Sequence, residues 1–109
     1  MAGSFEKILT ATDVSYKLAV PTKFLRDHGG GDQLMVMDNH TKRMYEFVLS
    51  TRAGRYKKPV FINDWLKYSR DKQLRAGQTI FFWKNDDEEF YRIQVLIHHP
   101  LGAGAAGLQ

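Results

Sequence analysis

The sequence has 109 residues, 43% of them hydrophobic and 13% aromatic, which is enough apolar material for one compact domain and too little for two. Sixteen basic residues outweigh twelve acidic ones, so the formal net charge is +4. There is no cysteine, which excludes disulfides, thiolate metal sites and a cysteine nucleophile. Without a long apolar run, neither a membrane-spanning helix nor a secretory signal is expected.

The first half of the chain is predicted to be mainly β. Short apolar or alternating segments predict strands at 5–9, 17–20, 33–37, 43–49 and 58–62. Pro21 stops the second of these strands, and 22–27 has the composition of one or two helical turns. The glycines at 29–31 then break the chain. In the strand at 43–49, alternation with a period of two predicts one buried face and one exposed face.

The second half begins with the clearest helix, predicted to run from Asn63 as N-cap to about Lys72. A strand at 79–84, an acidic loop at 85–89 and a strand at 90–98 follow. Seven short strands with two short helices predict a closed or nearly closed antiparallel barrel. We expect the domain to span 5–99, with tails at 1–4 and 100–109. The second tail is mostly glycine, alanine and leucine, as in a flexible linker.

The charge is distributed unevenly along the chain. Residues 42–58 hold six basic side chains and one acidic side chain, whereas 86–89 holds four consecutive acidic residues. Clustered cations add their potentials and displace counterions from a polyanion, so the first segment favours a polyanionic partner. A solvated basic loop with no partner remains an alternative.

Several segments resemble one known family. They are residues 5–14, 18–21 (Leu-Ala-Val-Pro), 45–47 (Tyr-Glu-Phe), 63–68 (Asn-Asp-Trp-Leu-Lys-Tyr) and 74–82, which opens Leu-Arg-Ala-Gly. In this order and spacing they resemble the plant "B-three" (third basic region) DNA-binding domain of auxin response, abscisic-acid response and vernalisation factors. The resemblance covers about residues 5–98. Tyr45 stands where the family usually has tryptophan, and Gln78 stands where it has aspartate.

The resemblance implies a mainly β fold, a seven-stranded open β-barrel (a DNA-binding pseudobarrel) with two short α-helices. It also implies two loops that grip the major groove of double-stranded DNA. The N-arm would be about 10–17 and the C-arm about 50–58, the basic segment already noted. The chain would act in the nucleus as a non-enzymatic, sequence-specific module of a transcription factor. No cofactor, metal or membrane partner is expected.

The resemblance also assigns residues of the N-arm side. Lys7 and Thr12 match positions that face phosphates, although a lysine on the outer strand face and an N-cap threonine are alternatives. Tyr16 and Lys17 would form the arm tip, where base edges are reached. Asn63 is expected to cap the helix and is a further candidate for contact with the DNA backbone.

In the C-arm, Arg52 and Arg55 are the strongest candidates for reading DNA, because a guanidinium group can pair bidentately with guanine or clamp a phosphate. Tyr56 can pack against a sugar or a thymine methyl group. Lys57 and Lys58 are expected to contact phosphates. The arm copies no family branch with an assignable target, so the target sequence is left open.

Other functions have weaker support in the sequence. Two of the four histidines are adjacent at 98–99, at the end of a strand where they point to opposite faces, so zinc binding is not expected. No nucleophile motif or phosphate loop is present. The rival functions are a protein-interaction module of the same fold, with only non-specific DNA binding, and the recognition domain of a restriction nuclease. The large aromatic residues are assigned to the core rather than to base stacking: Trp65, Phe81, Phe82, Trp83 and Phe90.

Overall fold

The computed structural model of the protein describes residues 4–27, 32–50 and 59–96. Its strands are β1 Phe5–Ile8, β2 Leu18–Ala19, β3 Gln33–Asp38, β4 Met44–Ser50, β5 Val60–Asn63, β6 Thr79–Lys84 and β7 Tyr91–Leu96. Its helices are α1 Ala11–Ser15, α2 Thr22–Asp27 and α3 Trp65–Asp71. The seven strands form one sheet in the order β1-β6-β7-β3-β4-β5-β2. Strands β1 and β2 are therefore the two edge strands of the sheet, and the prediction of an open seven-stranded barrel is confirmed.

The strand directions correct one prediction. Strands β3 and β7 pair in parallel, with Val36 opposite Tyr91 and Asp38 opposite Ile93, while the other paired strands are antiparallel. The expected all-antiparallel barrel is therefore wrong at this junction. The sequence pattern could not reveal it, because alternation shows which side chains are buried and does not show the direction of the neighbouring strand.

The interior of the curled sheet is aromatic. Phe47, Phe61, Trp65 and Phe82 are fully buried, and the Phe61 and Phe82 ring centroids lie 5.2 Å apart. This confirms the core positions predicted for Trp65 and Phe82. On β6 the alternate residues Phe81 and Trp83 are only half-buried, as is Phe90. Their assignment to the core was therefore only partly correct.

The helices differ from expectation in number and in capping. The described residues contain three helices rather than the two predicted, because α1 lies within the stretch predicted as the N-arm loop. The predicted N-cap Asn63 is instead the last residue of β5, with φ of 66°, and Asp64 occupies the N-cap position of α3. No helix within the described ranges has the length and apolar character needed to cross a membrane.

Candidate nucleic-acid interface

The N-arm connects the two edge strands of the sheet, β1 and β2, and contains helix α1. Thr10 is the N-cap: its hydroxyl accepts from the Asp13 amide at 3.1 Å, and the Asp13 carboxylate accepts from the Thr10 amide at 2.8 Å. This reciprocal pair forms a capping box. A five-residue helix is too short to be stable alone, so its order depends on contacts with the rest of the fold.

Asp13 supplies several of those contacts. Its side chain is 2% exposed, and it accepts from Lys7 Nζ at 2.8 Å and from the Ala19 amide at 3.1 Å. Burial alone would raise the pKa of Asp13, but hydrogen bonds from Lys7, Thr10 and Ala19 outweigh burial and hold the pKa below its ordinary value. The ionised carboxylate therefore ties α1 to both edges of the sheet.

Helix α3 holds α1 from the other side. The Trp65 indole N–H donates to the Asp13 carbonyl at 2.7 Å, and the Ser69 hydroxyl donates to the Val14 carbonyl at 2.7 Å. Both carbonyls lie in α1, and Trp65 itself is fully buried. These two bonds fix the part of α1 that leads into the arm tip, so the tip is positioned by rigid elements rather than by loop contacts alone.

The arm tip presents an aromatic ring and a cation together. Tyr16 is 62% exposed, and Lys17 Nζ lies 4.9 Å from the centroid of its ring. This distance is within the range of a cation–π contact, which restricts the position of the ammonium group. The tip therefore combines a stacking surface with a donor suited to a phosphate or a guanine edge.

The tip lies on the rim of an open groove of about 640 Å³. Strand pairing builds this groove, because Val60 of β5 lies opposite Ala19 of β2 on one side and opposite Ser50 of β4 on the other. Among the described residues, the groove is lined by Tyr16, Lys17, Ala19, Ser50, Val60, Ile62, Asn63 and Leu66. The structure thus brings three predicted site residues to one surface, namely Tyr16, Lys17 and Asn63.

Ser50, the first residue of the predicted C-arm, lines the same groove, and Pro59 follows the arm directly in sequence. The described chain stops at Ser50, resumes at Pro59, and the Val20 amide donates to the Pro59 carbonyl at 2.9 Å. The C-arm candidates lie outside the described residues: Arg52, Arg55, Tyr56, Lys57 and Lys58. By sequence, 51–58 carries four basic residues and no acidic one, and it connects the described residues Ser50 and Pro59.

The other site residues have roles within the fold. Lys7 Nζ donates to Asp13 and to the Ala19 carbonyl, and its side chain is only 20% exposed. The Asn63 amide donates to both the carbonyl and the carboxylate of Glu46. Thr12 is exposed on α1, and Thr10, not Thr12, is the cap. Contact of these three residues with the DNA backbone stays a prediction.

Sequence reasoning missed two groups of residues. The first group positions the arm and consists of Asp13, Trp65 and Ser69. The spacing of Thr10 and Asp13 resembles a capping box and was a usable signal for α1. The second group is the apolar groove floor around Val60 and Ile62. It could not be distinguished in the sequence from ordinary alternation along a strand.

No protein-family model matches the sequence, and a search of curated proteins finds no match. Solved structures do match. They include an Arabidopsis FUS3–DNA complex, with a TM-score of 0.73, 19% identity and coverage of 85% of this chain and 95% of that one. A second is the Arabidopsis thaliana transcription factor LEC2–DNA complex, with a TM-score of 0.70, 12% identity and coverage of 86% and 95%.

The fold also occurs outside plants. The N-terminal domain of Helicobacter pylori LlaJI.R1 matches with a TM-score of 0.63 and 5% identity, covering 86% of this chain and 87% of that domain. At such low identities the likeness concerns the path of the chain. The chain therefore adopts the pseudobarrel fold seen in the FUS3 and LEC2 complexes, which is the fold that the sequence resemblance implied.

Proposed function

We propose that this chain binds double-stranded DNA sequence-specifically as the DNA-binding domain of a plant transcription factor, acting in the nucleus without catalysis. One observation carries the proposal. A preorganised arm, with Tyr16 and Lys17 at its tip, and the attachment points of a four-cation segment flank the same groove. The fold is shared with FUS3 and LEC2, both solved as DNA complexes, which supports duplex DNA as the partner.

The division of labour follows from side-chain chemistry. Arg52 and Arg55 would read guanine edges through their planar guanidinium groups. Lys57 and Lys58 would contact phosphates, which position the protein without carrying base information. At the other arm, Lys17 would donate to a base edge. The basic segment favours DNA over the rival function of a protein-interaction module, because such charge is suited to a polyanion.

Selection from a random duplex library tests the proposal directly. We expect one recovered motif, bound far more tightly than scrambled duplex and with an affinity that falls steeply with salt. Recovery of no motif, with weak binding that does not respond to salt, would contradict the proposal and favour the protein-interaction module.

Matched variants can then separate the electrostatic contribution to binding from specific contacts with base edges. Arg52→Lys or Arg55→Lys keeps the charge and removes the planar fork, so the preference for the selected site should fall by about 1–3 kcal/mol per lost bidentate contact. Lys57→Arg should leave the preference intact. Replacing Lys57 and Lys58 by alanine should weaken binding to all duplexes and flatten the salt slope by about one to two units. Equal specificity ratios for wild type and both Arg→Lys variants would exclude base reading by these arginines.

A further inference from the structure

The floor of the groove has a chemistry that phosphate binding does not explain. Val60 and Leu66 are half-buried there, and Ile62 is 38% exposed although its neighbour Phe61 is fully buried. The amide donors of Asn63, which also lines the groove, are bound to Glu46. A surface selected only for phosphate contacts would be expected to present donors here rather than aliphatic side chains.

The major groove of DNA does offer an apolar partner for such a floor. Thymine carries a methyl group at C5, and this methyl group is the apolar feature of the major-groove edge. 5-Methylcytosine carries the same group at the same ring position. Val60 and Ile62 are β-branched and lie on a paired strand, so their methyl groups are held in few rotamers and present a fixed surface.

We propose that the Val60–Ile62–Leu66 floor recognises the 5-methyl group of a pyrimidine in the DNA major groove. This inference rests on the proposed function and assigns a part in base recognition to three side chains that lie outside both predicted arms. Lys17 lines the same groove, and its ammonium group makes the surroundings of the floor complementary to the DNA backbone. The floor adds specificity for a methyl group to an otherwise electrostatic surface.

The first experiment uses the duplex recovered by library selection. Each thymine is replaced in turn by deoxyuridine, which removes only the methyl group, and affinity is measured by competition. At one or more positions the wild-type protein should lose about fourfold in affinity, the effect of burying one methyl-sized apolar group. Full tolerance of deoxyuridine at every position would overturn the inference and leave the proposed function intact.

Protein variants locate the effect. In Ile62→Ala the loss caused by deoxyuridine should shrink to less than twofold, whereas Met35→Ala should retain it. Met35 is a matched control because it is 46% exposed on β3 and does not line the groove. Thermal melting verifies that both variants fold. A deoxyuridine effect that persists undiminished in Ile62→Ala, Val60→Ala and Leu66→Ala would overturn the assignment to this floor.

The source of the methyl group is tested at the sensitive position. There, 5-methylcytosine paired with guanine is compared with unmethylated cytosine paired with guanine. Tighter binding of the methylated duplex by wild type, and equal binding by Ile62→Ala, is the expected result. Equal binding of the two duplexes by wild type would overturn recognition of 5-methylcytosine and restrict the recognised group to thymine. A selection that recovers no motif would contradict the proposed function and this inference together, so the two failures are distinguishable.

Discussion

Two buried carboxylates, Asp13 and Asp38, organise two different regions beside helix α3 with nearly the same chemistry. Their exposed fractions are 2% and 0%, and each pairs with a lysine, Lys7 at 2.8 Å and Lys72 at 3.1 Å. Burial alone would raise the pKa of both, yet donors on both carboxylate oxygens lower it in each case. In both regions a charge buried within the fold is compensated by several hydrogen bonds.

The difference lies in what each carboxylate holds. Asp38 accepts from the Tyr68 hydroxyl at 2.8 Å and from Thr41 at 2.8 Å, so it fixes the turn between β3 and β4. Asp13 fixes the arm that carries Tyr16 to the groove rim. The same chemistry therefore serves the fold in one region and the proposed interface in the other. Equivalent substitutions of the two carboxylates should therefore lower the free energy of unfolding by similar amounts. Only the substitution of Asp13 should also weaken DNA recognition.

The largest expected effect comes from truncating a buried side chain of helix α3, the helix that contacts both Asp13 and Asp38. Trp65→Ala should lower the free energy of unfolding by about 3–5 kcal/mol, because it leaves a cavity in a fully buried site. That is a large part of the roughly 5–15 kcal/mol typical of a domain. Denaturant unfolding measures the loss. A Trp65→Ala protein with the wild-type melting temperature would show that α3 does not anchor the core.

The sharpest test of the comparison is the pair Asp13→Asn and Asp38→Asn. Each places an amide N–H₂ where the native carboxylate accepts hydrogen bonds, and each leaves a lysine without its anion, at a cost of about 3 kcal/mol in stability. Only Asp13→Asn should also reduce the preference for the selected duplex. Urea titration measures the free energy of unfolding, and competition binding at low temperature measures the preference for the selected duplex. An equal loss of preference in both variants would refute a separate role for the arm.

Acid should weaken both regions together. Because the folded-state pKa of each carboxyl lies below its unfolded value, the stabilisation is fully present above the unfolded pKa of about 4. It is lost as the pH falls through the lower folded-state values. Unfolding free energy measured from pH 6 to pH 2 should fall steeply below about pH 4, and less steeply in each Asn variant. An acid limb identical in wild type and both variants would exclude these carboxyls as the titrating groups.

The smallest expected effect compares two hydroxyl deletions. Ser69→Ala removes the bond to the Val14 carbonyl in the arm, and Tyr45→Phe removes the 2.8 Å bond to Asp71, each costing about 1 kcal/mol. Only Ser69→Ala should speed hydrogen exchange at the α1 amides and lower the preference for the selected duplex. Unchanged α1 exchange in Ser69→Ala would mean that Trp65 and the Asp13 side chain hold the arm without it.

Tyr45→Phe should also change how the free energy of unfolding depends on pH in the alkaline range. Burial first, and then the Asp71 carboxylate, raise the pKa of Tyr45 to about 12. The stabilisation from this hydroxyl is therefore complete below the unfolded pKa of about 10 and is lost as the pH rises through about 12. The alkaline limb of the stability curve should consequently differ between wild type and Tyr45→Phe, and match between wild type and Ser69→Ala.

The sequence allowed the strands to be predicted well, because alternation and apolar runs report burial directly. The strand at 79–84 was predicted with its observed bounds, and the others to within one or two residues at their described ends. Helix α1 was missed because Thr12 and Val14 are weak helix formers in a segment of only five residues. Its stability comes from contacts made elsewhere in the fold, and local propensity does not report those contacts.

The site was predicted less completely for a similar reason. Tyr16 and Lys17 were predicted as arm-tip residues from the resemblance. Both line the groove, and their contact with DNA stays a prediction. Lys7 was predicted as an external cation, yet Asp13 is its partner six residues later, across the turn into α1. Asparagine is a residue type often found at an N-cap, which explains the prediction for Asn63. In the structure Asn63 has a left-handed backbone, and its side-chain amide donates to Glu46, so it belongs to the pairing of β4 with β5. Both differences depend on tertiary contacts that sequence spacing does not encode.

The bonding at Ala19 also bears on whether the edge of the sheet can pair with a strand of another molecule. Ala19 lies on the edge strand β2, and its amide donates to Asp13 while its carbonyl accepts from Lys7 of the opposite edge strand, β1. Free backbone groups on an edge strand are a template for adding a strand from another molecule, and buried or inward charges are a known protection. The ion pair occupies both groups at once. Loss of Lys7 would free the Ala19 carbonyl and loss of Asp13 the Ala19 amide, and each freed group would become available to a strand of another molecule.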